Sequence, residues 1–159
     1  MVFRLALRMT GNVSDAEDVV QETFLKAHRS LGGFDERARF GTWIYRIAVN
    51  AAIDLIRRRG RPTATRRTSD DPPIVETLPS SDPLPDRLAM SGQIQRDVAA
   101  ALTQLSARAR AAFVLRHMEG MPIERIAEVL KIGPNAVKQT VFRAVQKLRR
   151  ELAPLAGVA

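Results

Sequence analysis

The chain has no cysteine and only two histidines, His28 and His117, in 159 residues. Without thiols it can form no disulfide, no thiol nucleophile and no zinc–thiolate site, and two imidazoles in separate helical patterns do not make a metal cluster. Close groups of carboxylates are also scarce. Asp15, Asp18 and Glu22 stand together, but along one helical pattern with no histidine or second acidic strand to complete a nuclease-like centre. The expectation is a protein with no catalytic residue, no metal and no cofactor. No apolar run reaches membrane-spanning length, and Met1 to Gly11 is too short and too interrupted by arginine for a signal peptide, so a soluble, cytoplasmic chain without membrane insertion is expected. Proline is confined: six of the nine fall between Pro62 and Pro85, with Ser, Thr and Asp around them and few large apolar residues. That stretch reads as a linker, not a domain.

What the chain has in excess is positive charge, a net of +8. Residues 1–61 hold 11 basic and 7 acidic side chains (+4), residues 62–95 hold 3 and 5 (−2), and residues 96–159 hold 11 and 5 (+6). Two basic blocks flank a slightly acidic connector, a distribution suited to two contacts with a polyanion, nucleic acid first among them.

The first block is organised around Arg39 to Arg61. Neither Gly nor Pro falls between Thr42 and Arg59, and Thr42 is the expected N-cap. At 100° per residue, Ile44, Ile47, Ala48, Val49, Ala51, Ala52, Leu55 and Ile56 cover most of the helix circumference. Trp43, Arg46, Asn50, Asp54 and Arg57 form the one narrow stripe left to face outward. An indole can stack on an unpaired base, Asn50 can read a base edge, and Arg46 and Arg57 can hold phosphate or guanine. The alternative is a solvated face in which Asp54 pairs with Arg57 or Arg58.

Ahead of it, Val2 to Met9 reads as a helix broken at Gly11-Asn12. Ser14-Asp15-Ala16-Glu17 has the capping-box pattern, with Ser14 as N-cap of a helix ending near Leu31. Ala16, Val20, Phe24, Ala27 and Leu31 form its expected core stripe. Leu25 points away from that stripe among Asp18, Gln21, Glu22 and Arg29, which suits either a partner-docking site or a plain surface. Gly32 to Gly41 is a loop holding Phe34 and Phe40.

In the second block, Leu88, Ser91, Ile94, Val98, Leu102 and Leu105 share a helix face, and Ser106 caps a helix from Ala107 to Glu119. Pro122 occupies a first helical position before a short helix with Ile123, Ile126, Ala127 and Leu130 inside. Lys131-Ile132-Gly133 turns, and Pro134 opens a longer helix. Val137, Val141, Ala144, Val145 and Leu148 face inward there, while Asn135, Lys138, Gln139, Phe142, Arg143, Gln146 and Lys147 face outward. Two helices joined by a tight turn, the second basic and amide-rich outside, form the helix-turn-helix pattern of a DNA reader; the alternative is a helical hairpin with a solvated basic face.

These stretches together resemble the extracytoplasmic-function sigma factors, the compact bacterial type that keeps only the second and fourth conserved sigma regions. GNVSDAEDVVQETFLKAHRSLGGFD and FGTWIYRIAVNAAIDLIRRRGR look like region two. LTQLSARARAAFVLRHMEGMPIERIAEVLKIGPNAVKQTVFRAVQKLRREL looks like region four. The resemblance implies an all-α protein of two small helical domains, region two over 1–61 and region four over 86–159, joined by a flexible linker over 62–85. It implies that Asp18, Gln21, Glu22 and Leu25 dock on the clamp helices of the polymerase largest subunit. Arg39, Trp43, Arg46, Asn50, Arg57 and Arg58 would meet the non-template strand of the minus-ten element. Asn135, Lys138, Gln139, Phe142 and Arg143 would enter the major groove of the minus-thirty-five element, with region four also holding the polymerase flap tip. An anti-sigma factor is a further partner the resemblance admits.

The chain departs from the family pattern in three places. Such proteins carry a further stretch ahead of the position of Met1, so this chain is expected to be either truncated or mis-started. Lys131 stands where a turn glycine is usual, and Thr140 where the recognition helix usually has arginine. Beside the sigma reading stands a stand-alone helix-turn-helix regulator whose N-terminal part senses a ligand or dimerises.

Overall fold

The computed structural model describes residues 1–60 and 85–156, and all regular structure among them is helical. Seven α-helices follow in order: α1 (Val2–Thr10), α2 (Val13–Ser30), α3 (Phe40–Arg59), α4 (Pro85–Thr103), α5 (Ala107–Phe113), α6 (Ile123–Leu130) and α7 (Pro134–Ala156). The linker expected over 62–85 lies, Pro85 apart, outside the described residues. No described helix is long and apolar enough to cross a membrane.

The α1–α2 corner turns at Gly11, whose φ of 81° is open to glycine at little steric cost; its N–H bonds Leu7 O at 2.8 Å. Asn12, not Ser14, caps α2. Its Oδ1 accepts from the Asp15 N–H at 2.8 Å, and its Nδ2 donates back to Asp15 Oδ2 at 2.9 Å. The reciprocal box thus lies two residues earlier than the Ser14–Glu17 pattern, because an amide offers both a donor and an acceptor. Asp15 is thereby buried, and Arg59 from the far end of α3 completes its ion pairing.

The buried face of α2 is Ala16, Val19, Thr23 and Ala27; Phe24 is 56% exposed and Leu31 54%. The expected stripe through Val20, Phe24 and Leu31 is therefore rotated off the true one. Steps of four residues drift 40° per turn, and apolarity alone overlooked Thr23, which sits inside because its hydroxyl donates to Val19 O at 2.6 Å.

α3 is the centre of the molecule. Ile44, Ala48, Val49, Ala51, Ala52, Ile53 and Leu55 are all buried, under α1 and α2 on one side and α5 and α6 on the other. It begins at Phe40 with Arg39 in the N-cap position and no side-chain cap, so Thr42 lies inside the first turn rather than at its boundary. A second, smaller cluster of Ala101, Leu102, Leu105, Ala144 and Leu148 fastens α4 to α7. Ile94, expected on the inner face of α4, is exposed.

Ser106 caps α5 as expected, accepting from the Ala109 N–H at 3.3 Å. The helix expected to run on to Glu119 instead widens into a π turn over Val114–Met118, with Glu119 N–H bonding Val114 O at 3.0 Å. Gly120, at φ 66°, ends it. Pro122 is extended and stands as the N-cap of α6 rather than its first helical residue. Ile126, Ala127, Val129 and Leu130 are buried under α6, and Val137, Ala144 and Leu148 under α7.

The turn between α6 and α7 places Lys131 at φ 53°, ψ 47°. A left-handed non-glycine residue is strained by about 1–2 kcal/mol. Lys131→Gly removes that strain but loosens the unfolded chain, so a net gain of up to about 1 kcal/mol is expected in chemical denaturation. A fall in stability would show that the lysine side chain contributes more than its backbone loses.

Candidate functional site

Three surfaces emerge from this packing. The first is a cleft of about 360 Å³ between α2 and α3, lined by Asp18, Gln21, Glu22, Leu25 and Arg58 among others. It gathers all four side chains expected to dock on a partner, and Leu25, 46% exposed, stands apolar among acids and an amide. Arg58, expected with the DNA-facing set, also lines this cleft. With Arg57 it borders the adjoining cleft of Glu22, Lys26 and Asp54. Lys26 reaches Glu22 at 3.3 Å and Asp54 at 4.0 Å. The solvated-face alternative had Asp54 pairing with Arg57 or Arg58; its partner is Lys26, on another helix.

The second surface is the stripe on α3. Asn50, Asp54 and Arg57 are exposed and Trp43 and Arg46 half-buried. Trp43 is not a free indole. Phe34 lies 4.9 Å from it centroid to centroid and Phe40 5.5 Å, with 5.7 Å between the two phenylalanines. The three rings form an aromatic ledge at the start of α3, within the offset and edge geometries that such rings favour. Phe40 is 54% exposed at its rim. Phe34 and Phe40 were visible in the sequence as loop aromatics, but nothing in the local pattern joined them to Trp43. Arg39, Trp43 and Arg46 also line a cleft of about 550 Å³ whose opposite wall is Pro122, Glu124, Arg125 and Glu128.

The third is the outer face of α7. Asn135, Lys138, Gln139, Phe142 and Arg143 are all exposed, on one side of one helix. Thr140 turns its hydroxyl back to Ala136 O at 2.7 Å, so it offers little to a partner. Lys147, read as part of the outer face, is tied down by a 2.5 Å bond to Gln104 O.

The sequence reading missed the junction between the two halves. Glu119, whose side chain is 3% exposed, accepts from Arg8 at 2.5 Å and Arg4 at 3.4 Å. The Tyr45 hydroxyl donates to it at 3.0 Å. Burial first, and then the neighbouring Glu119 carboxylate, push the Tyr45 hydroxyl up to about 12; it remains a donor at any ordinary pH. Arg110, buried and lowered from its usual range by desolvation, donates to Met9 O at 2.7 Å and Thr103 O at 3.1 Å. The main apolar cluster runs through both halves. Arg110–Thr103 aside, these partners lie 74 to 115 residues apart, and no periodicity marks them.

Residues 1–62 match the Sigma-70 region 2 family and residues 95–148 the Sigma-70, region 4 family. The chain is 37% identical over 152 residues to the ECF RNA polymerase sigma factor SigE of Mycolicibacterium smegmatis, covering 96% of this chain and 57% of that protein. It is 30% identical over 158 residues to the ECF RNA polymerase sigma factor SigW of Bacillus subtilis, covering 97% and 84%. Among solved structures, the sigma factor RpoE in complex with the anti-sigma factor NepR from Bartonella quintana superposes with a TM-score of 0.68 at 26% identity, over 96% of this chain and 89% of that one. Two sigma regions in this order define a promoter-directing subunit of RNA polymerase. The chain belongs to the extracytoplasmic-function family of sigma factors. The stand-alone regulator is not favoured, since its N-terminal part would have no reason to match region two.

The two faces of α2 separate in a stability measurement. Leu25→Glu is expected to leave helicity unchanged and stability within about 0.5 kcal/mol, as for surface sites generally. Val19→Ala, which empties a fully buried position, is expected to cost about 2 kcal/mol. Equal losses in thermal or denaturant unfolding would mean that Leu25 belongs to the core.

Proposed function

We propose that the three surfaces divide the work of a sigma factor. The α2–α3 cleft docks on core polymerase, with Leu25 as apolar anchor and Asp18, Gln21 and Glu22 as its polar rim, against the clamp helices of the largest subunit. The α3 stripe then captures the non-template strand of the minus-ten element. Trp43, backed by Phe34 and Phe40, supplies a stacking platform, Asn50 a paired donor and acceptor, and Arg39, Arg46 and Arg57 phosphate contacts. Arg58 serves both surfaces, its charge lying where docking cleft and stripe converge. The outer face of α7 enters the major groove of the minus-thirty-five element through Asn135, Lys138, Gln139, Phe142 and Arg143, while the rest of region four holds the flap tip.

The proposed domains are 1–61 and 86–159, with 62–85 as linker. The chain itself does no chemistry: it works in the cytoplasm as a binding subunit of an enzyme that does. The Bartonella neighbour was solved with an anti-sigma factor, which makes such a partner a reasonable restraint on this chain too. The observation that carries the reading is the sharing of one helix, α3, between the docking cleft and the aromatic stripe. A partner seated on α2 thereby fixes the direction in which Trp43 and Asn50 point.

Transcription with purified core polymerase on a promoter library tests it. Core plus this chain is expected to yield a defined promoter set that core alone does not. Leu25→Glu is expected to weaken core binding by about 30-fold, the effect of losing an anchor worth about 2 kcal/mol. Gln139→Ala should change the upstream bases preferred, by about 1–3 kcal/mol of discrimination, and Lys138→Ala should weaken all sites alike and lower the salt dependence by about one charge. An upstream profile indifferent to Gln139 would remove it from base reading; a promoter set no different from that of core alone would overturn the assignment.

A further inference from the structure

Three consecutive arginines, Arg57, Arg58 and Arg59, close α3. At 100° per residue they leave the helix in three directions. Arg57 stands one turn beyond Asp54 and two beyond Asn50, and so continues the outward stripe. Arg58 follows Ala51 and Asp54 and lines both clefts between α2 and α3. Arg59 follows Ala52 and Leu55, both buried, so its side chain leaves on the core side of the helix.

There it meets Asp15. The Asp15 carboxylate is buried and already held from one side, Asn12 Nδ2 donating to its Oδ2 at 2.9 Å. Arg59 pairs with the other oxygen, Oδ1. The carboxylate stands in the first turn of α2 and the guanidinium in the last turn of α3, the ends where the helix dipoles favour those charges. Other restraints on that last turn are weak. Gly60 bonds Ile56 O at 3.0 Å, but at φ −75° it supplies no left-handed stop. Arg57 and Arg58 make no ion pair among the described residues.

We infer that Asp15 is a positioning residue: by drawing Arg59 inward it fixes the rotation of the last turn of α3, and so directs Arg58 into the docking cleft and Arg57 onto the stripe. This rests on the α2–α3 cleft being the core-docking surface. Without the tie, three adjacent cations repel one another and fray the turn, and Arg58 loses its place beside Asp18 and Glu22. A buried carboxylate suits the task because it holds a guanidinium more firmly than an exposed one, which water and salt screen.

Asp15→Asn is the mildest probe, since it removes the charge, keeps the shape and can keep both bonds to Asn12. In the full chain it is expected to weaken binding to purified core polymerase about tenfold, a typical cost of losing one interface arginine. Arg59→Gln should do the same, and the two together should cost no more than either. Arg59→Lys, which keeps the charge, should recover most of the affinity. The decisive comparison is made in the Arg58→Ala background. There Asp15→Asn is expected to cost nothing further, because the side chain it directs is gone.

A second full loss in that background would make Asp15 an ordinary structural residue and overturn the inference. Amide exchange at Arg59 and Gly60 in the free chain reads the same turn without polymerase, and should quicken in both Asp15→Asn and Arg59→Gln. Unchanged exchange in both would equally defeat the positioning. If Leu25→Glu weakens core binding and Arg58→Ala does not, the role given to Arg58 is wrong. If neither weakens it, the docking reading is what fails, and quickened exchange still upholds Asp15 as the residue that sets the turn.

Discussion

Everything in this molecule depends on α3 being apolar around most of its circumference. A helix of that kind is stable in water only if neighbours cover it on several sides, and α1, α2, α5 and α6 do so. Burial of Ile44, Val49, Ile53 and Leu55 contributes about 1.5–3 kcal/mol each, as upper estimates. Because those contacts fix the helix about its own axis, the one uncovered strip has a fixed direction. From Trp43 to Asn50 that strip is about 10 Å long at 1.5 Å per residue. That length matches about three nucleotide steps of a stacked strand at 3.4 Å.

The same burial couples recognition to docking. Leu55 and Ala51 face both the core and the floor of the α2–α3 cleft, while Asn50 and Asp54 beside them face outward. A partner that grips Leu25 and its acidic neighbours therefore orients the stripe through rigid packing, without any conformational change within region two. Region four is built more lightly. α6 is short, its turn is strained at Lys131, and α4 and α7 share a core of five small and medium side chains. That economy fits an element whose task is to present one helix face.

The sequence made the elements legible where one physical signal dominated. The α3 stripe, the buried face of α7 and the Gly11 and Ser106 boundaries followed from periodicity or capping chemistry, and the Lys131 turn stood out only as a departure from the family's usual glycine. Cap assignment failed where two residues competed within one turn, as with Asn12 against Ser14 and Arg39 against Thr42. The face of α2 was misplaced because a buried threonine satisfied by its own helix counts as core, whereas two large apolar residues, Phe24 and Leu31, lie outside. The Phe34–Phe40–Trp43 ledge and the Glu119 junction were out of reach. Each depends on tertiary contacts between segments whose local patterns are unremarkable.

The central claim is that the α3 stripe acts on opened DNA rather than on the duplex. The direct measurement is open-complex formation by holoenzyme carrying Asn50→Ala, on a duplex promoter and on the same promoter with a pre-melted bubble. Unstacking costs a few kcal/mol per step, which the stripe helps to offset by trapping bases once they are exposed. The account predicts a marked loss on the duplex that the bubble largely restores. Equal, unimpaired opening on both templates would contradict it and return Asn50 to an ordinary solvated face.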